Sequence, residues 1–101
     1  MAVKILERGF TFDDVLIVPN ASAMEPAEAS LKTNLCGIEL SIPFLSAAMD
    51  RVTEEDTAIA LGRLGGIGVV HRNCSIEVQV KIVTHVKKEG VKVAAACGPF
   101  A

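Results

Sequence analysis

Residues 42–97 read IPFLSAAMDRVTEEDTAIALGRLGGIGVVHRNCSIEVQVKIVTHVKKEGVKVAAAC, and this stretch decides the fold. Short apolar runs at 42–47, 67–70 and 91–97 alternate with longer segments whose apolar residues recur at helical spacing. Pro43 fits a strand only at its start. Thr53 is a good helix N-cap, with Glu54, Glu55 and Asp56 in the turn where negative charge is favoured. Ala58, Leu61 and Leu64 follow at helical spacing, and Gly65 supplies a stop. Ser75 can cap a second helix through about Lys88, with Ile76, Val80 and Val83 as its expected apolar stripe and Gly90 as its end. The alternation Val78, Val80, Ile82 would also suit a strand, but length and flanking caps favour helix. Strands alternating with helices of this length imply neighbouring parallel strands joined by right-handed crossovers. Such a run can open either a barrel or an open sheet.

Outward from this core, residues 1–41 are less regular. Thr11-Phe-Asp-Asp14 has the form of a capping box and predicts a short helical turn. Val15 to Val18 is apolar and stops at Pro19, and residues 20–28 read as a surface loop. Residues 31–35 and 38–40 alternate around Cys36-Gly37, which predicts a β-hairpin with glycine at its turn. At the other end, residues 97–101 form a turn with no covering helix after it. The reading therefore expects a single incomplete domain, with a pre-barrel segment at 1–41 and the first β/α units at 42–101.

Composition narrows the function classes. The chain has 101 residues, half of them hydrophobic, with four Phe and no Trp or Tyr. An Ala, Val, Ile and Leu core of this kind suits parallel strands covered by helices. A net charge of -2, with no basic face and few stacking aromatics, argues against nucleic acid as a partner. No apolar stretch approaches the roughly 20 residues of a spanning helix, and the charged start does not resemble a secretory signal. Three cysteines, Cys36, Cys74 and Cys97, then read as free thiols in a reducing cytoplasm. His71 and Cys74 make an H-x-x-C pair that lacks the further ligands a metal site requires.

Gly62, Gly65, Gly66 and Gly68 invite comparison with a dinucleotide fingerprint, which fails on context. Phosphate binding needs the glycines after a strand and before a helix, where amide groups face the ligand. Here they follow a helix and precede a strand. The polar groups are more informative. Asp50 follows the first strand, His71, Arg72 and Asn73 the second, and Gly98-Pro99 the third. These are C-terminal strand ends, the face on which parallel β/α folds build ligand sites. The alternatives are local: Asp50 pairing with Arg51, and Asn73 capping the turn before Ser75. No nucleophile–base pair and no catalytic carboxylate pair stands out.

Three motifs carry a resemblance. TFDDVLIVP at 11–19, IPFLSAAMD at 42–50 followed by Val52-Thr-Glu54, and GGIGVVHRN at 65–73 closely resemble the IMP dehydrogenase/GMP reductase family, in its order and spacing. The second and third look more like the dehydrogenase branch. The resemblance implies a (β/α)8 TIM barrel, usually a homotetramer, that oxidises IMP to XMP with NAD and a monovalent cation such as potassium. It implies that the nucleophilic cysteine, flap and cation loops lie on later segments, so none of the three cysteines here is taken as catalytic. Ala47, Met49 and Asn73 match the nucleotide-contacting rim, Met49 lying against the purine. Only Glu89-Gly90 separates the second helix from the third strand, so the CBS modules that many members insert there are expected to be absent. A GMP reductase of the same barrel, and a non-catalytic short partner or pseudoenzyme, are the competing readings. The purified 101-residue chain is expected to give no NAD reduction with IMP, measured as absorbance of NADH. Turnover in a preparation free of full-length enzyme would contradict this.

Overall fold

A computed structural model describes residues 7–99. The N-terminal arm contains two 3-10 turns, Phe12–Asp14 and Pro26–Glu28. The first forms where the capping box predicts it. The Thr11 N–H donates to the Asp14 carboxylate at 2.9 Å, and the Asp14 N–H to the Thr11 carbonyl at 3.0 Å. The arm reaches away from the rest of the chain, with Phe12, Leu16 and Ile17 at least 95% exposed. The radius of gyration is accordingly 17.9 Å, against about 13 Å for a compact chain of this size.

Two short strands follow, β1 (Thr33–Leu35) and β2 (Ile38–Leu40), paired antiparallel with Leu35 opposite Ile38. Their two-residue loop has positive φ at both Cys36 (51°) and Gly37 (82°), as a type I′ turn requires. The Asn34 side chain accepts the Gly37 N–H at 3.0 Å and closes it.

The second sheet holds β3 (Leu45–Ser46), β4 (Ile67–Val70) and β5 (Val93–Ala95), in that order and all parallel. Helix α1 (Glu55–Arg63) connects the first pair and α2 (Ile76–Lys88) the second. The alternation expected of residues 42–97 is thus present, with the outer strands shorter than their apolar runs. Side chains alternate across β4, so Gly68 and Val70 face one way and Ile67 and Val69 the other. Ala58 of α1, Val70, and Ile82 and Val86 of α2 form one buried cluster, so both helices cover the same face. At the N-terminal ends of β4 and β5, hairpin residues Gly37, Ile38 and Glu39 line a cleft with Ile67 and Val93, and Lys92 Nζ donates to the Glu39 carbonyl. Among the described residues, no helix is long and apolar enough to cross a membrane.

Two helix expectations are corrected. Glu54, not Thr53, occupies the N-cap of α1, because the Thr53 hydroxyl is committed to the end of β3. The expected stripe on α2 is partly misplaced, since only Val83 of its three members packs against the core. Ile76 and Val80 are 77% and 55% exposed, while Ile82 and Val86 are buried. The inward face runs through Gln79, Ile82, Val83 and Val86, and its polar first member hides it from a hydrophobic pattern. Ser75 caps α2 as expected, accepting the Val78 N–H at 3.3 Å.

Glycines set the spacing between layers. A Cβ on Gly68 would lie 2.8 Å from Ala58 Cα, so α1 sits directly on the backbone of β4. Gly65 combines a φ of +99° with the Ser41 side chain at 2.6 Å from its would-be Cβ, where its carbonyl also accepts the Ser41 N–H. Gly68→Ala should lower stability by about 1–3 kcal/mol through overpacking, read as a shift in urea midpoint. An unchanged midpoint would show that α1 can lift off β4 freely.

Candidate functional site

The three parallel strands end at one rim, and each end must satisfy carbonyls that no further strand residue can pair. Side chains from the crossover segments do this. At the end of β3, the buried Thr53 hydroxyl donates to the Ala47 carbonyl and lies 2.8 Å from Ser46 Oγ, from which it can accept. At the ends of β4 and β5, the Gln79 amide donates to both His71 O (3.0 Å) and Ala96 O (2.9 Å). One α2 side chain therefore holds two neighbouring strand ends together.

The loop after β3 turns back on itself. The carbonyl of Met49 accepts the N–H groups of Val52 and Thr53, each at 3.1 Å, and Arg51 takes the left-handed conformation at φ 62°. That conformation costs a non-glycine residue roughly 1 kcal/mol, and strain of this sort clusters at functional sites. No pattern in the sequence marks Arg51 for it. Met49 stands at the turn with its side chain 58% exposed, and Ala47 and Asp50 are exposed beside it.

The loop after β4 meets this turn. Asn73 Nδ2 donates to Asp50 Oδ2 at 3.2 Å, so the residues read as rim candidates on separate strands are joined directly. Asp50 therefore pairs with Asn73 rather than with Arg51, and the Asn73 side chain is used across the rim rather than as a local cap. His71 is buried, with Nε2 3.0 Å from Glu54 Oε1 and Nδ1 accepting the Asn73 N–H at 3.1 Å. Cys74 Sγ approaches the His71 carbonyl at 3.9 Å, not the ring, so this pair does not converge as metal ligands. Among the described residues, no cluster of three or more His, Cys, Asp or Glu is placed to hold a metal ion. Thr53, Gln79 and Glu54 are rim-organising residues the sequence reading missed. The signal available was a polar residue on an otherwise apolar helix face, at Gln79.

The glycine run offers no cradle for NAD phosphates. A Cβ on Gly66 would lie 2.6 Å from the Phe44 carbonyl, and the space at Gly65 and Gly68 is filled by Ser41 and Ala58. These are packing glycines, and this run does not fit a dinucleotide's phosphates.

Gln79→Leu should cost about 1–3 kcal/mol, because it leaves two strand-end carbonyls without their donor while keeping side-chain volume similar. Chemical denaturation measures it, and a change below about 0.3 kcal/mol would mean that water replaces the amide without penalty.

Comparison with known proteins places the chain in a family. Residues 9–98 match the family model described as the IMP dehydrogenase / GMP reductase domain. The chain is 59% identical over 87 residues to inosine-5'-monophosphate dehydrogenase of Methanocaldococcus jannaschii, covering 84% of this chain and 18% of the relative. It is 58% identical over 87 residues to that of Helicobacter pylori (85% and 18%), and 52% over 88 residues to that of Borreliella burgdorferi (86% and 22%). The chain thus spans about a fifth of the length of the curated relatives it matches. With a family model covering most of its residues, this chain belongs to the IMP dehydrogenase / GMP reductase family of enzymes.

Proposed function

We propose that this chain forms the opening β/α units of a (β/α)8 barrel that oxidises IMP to XMP with NAD, in guanine nucleotide biosynthesis. The observation that carries the reading is the joined rim: Ala47, Met49, Asp50 and Asn73 gathered at the C-terminal ends of adjacent parallel strands in a member of this family. The relatives named above are all dehydrogenases, which favours that branch over GMP reductase. Continuation of the barrel is supported by the cleft lined by Gln79, Val80, Val83, Thr84 and Ala95, where the next crossover helix would pack. That helix would also cover the outward-facing Val80.

In this reading the Met49 thioether lies against the purine face, a contact worth about 0.3–1.5 kcal/mol, and Asn73 borders the nucleotide. Ala47 allows close approach. NAD and potassium bind on later segments, which leaves the 101-residue chain inactive alone; the family resemblance favours a homotetramer for the complete protein, and the free thiols suit the cytoplasm. The direct Glu89-Gly90 junction favours a protein without CBS modules. A short partner or pseudoenzyme of the full barrel would share this rim but never turn over IMP.

Met49→Ala in the full-length protein tests the site. A nucleotide contact predicts IMP affinity weakened by about threefold to tenfold, measured by calorimetry, with little change in melting temperature. A loss of roughly 2–5 kcal/mol of stability with affinity intact would instead make Met49 a core residue and retire the assignment.

A further inference from the structure

We propose that His71 is a positioning residue: a neutral imidazole, protonated on Nε2, that clasps the loop after β4 to the start of α1 and so fixes where Asn73 meets the nucleotide. This rests on the nucleotide site proposed above. His71 is 4% exposed and stands immediately after β4. Both ring nitrogens and its carbonyl are engaged. The backbone N–H of Asn73 can only donate, so Nδ1, 3.1 Å away, must carry a lone pair. The ring proton of the neutral form then sits on Nε2, which faces Glu54 Oε1 at 3.0 Å. The His71 carbonyl is held separately by Gln79 at 3.0 Å.

The two ring contacts lead to different parts of the rim. Nε2 reaches the N-cap residue of α1, while Nδ1 sets the backbone of Asn73. From that fixed backbone, the Asn73 amide crosses to Asp50 on the loop that carries Met49. Orientation of one buried ring thereby passes to both candidate contact loops. Glu54 is 58% exposed, so its hydrogen bond to the neutral ring competes with water and adds little. The Nδ1 contact is the consequential one, because among the described residues His71 alone accepts the Asn73 N–H.

Two half-mimics separate the nitrogens. In H71N the amide oxygen can occupy the place of Nδ1 and accept the Asn73 N–H. In H71Q the amide nitrogen can reach toward Glu54, but nothing accepts from Asn73. In the full-length protein, KM for IMP should rise about tenfold in H71Q and about twofold in H71N, with kcat falling less than about threefold in either. Hydrogen–deuterium exchange of the peptide spanning residues 71–75 should be faster in H71Q than in H71N, at matched melting temperature. Equal KM and equal exchange in the two variants, or better tolerance of Gln than of Asn, would overturn the clasp. If neither variant folds, the ring-nitrogen NMR shifts of His71 in the wild-type protein decide: a hydrogen-bonded Nδ1 without a proton supports the clasp, and a protonated Nδ1 overturns it. A wild-type protein that neither binds nor turns over IMP would sink the proposed function, while exchange would still judge the clasp by itself.

Discussion

Carbonyl groups at the C-terminal ends of parallel strands have no further strand residue to pair with, and the rest of this structure depends on how that constraint is met. One carbonyl from each of the three strand ends, at Ala47, His71 and Ala96, is taken by a side chain from a crossover segment. Thr53 serves the first, and Gln79 serves the other two. Among the described residues, no buried side-chain nitrogen or oxygen is left without a partner. A buried polar network satisfied in this way specifies one arrangement of strands and helices, because each alternative leaves groups unpaired in low dielectric.

Rigidity at the rim has a use beyond stability. The apolar cluster of Ala58, Val70, Ile82 and Val86 holds helices against the sheet but cannot orient the loops above it. Directional bonds do that. The Met49 carbonyl closes the loop after β3, Asn73 ties it to the loop after β4, and His71 ties the latter to α1. Met49 is consequently held by its backbone while its side chain stays exposed, as the nucleotide contact proposed for it would require. The left-handed Arg51 is the strain accepted to make that loop tight.

Much of this was legible in the sequence, for physical reasons that differ by element. The hairpin turn and the Ser75 cap are local, so Gly37 and Ser75 announce them unaided. Strand β4 was legible to the residue because it is buried on both faces and reads as an unbroken apolar run. Thr53 misled because its hydroxyl suits two tasks, and a tertiary partner at Ala47 won over the local cap. On α2, the apolar residues spread wider than the buried face, and the polar Gln79 sits on the buried side. Periodicity then selected Ile76 and Val80, which are exposed here. The rim residues Asp50 and Asn73 were found from their positions after strands, but the bond between them depends on sheet geometry that no sequence spacing encodes.

A crystal structure of the full-length protein with IMP tests the central claim most directly. The account predicts the purine against Met49, with Ala47 and Asn73 along the nucleotide, and the Thr53, His71 and Gln79 hydrogen bonds in place beneath it. A nucleotide bound elsewhere, with this rim buried against other parts of the protein, would contradict it.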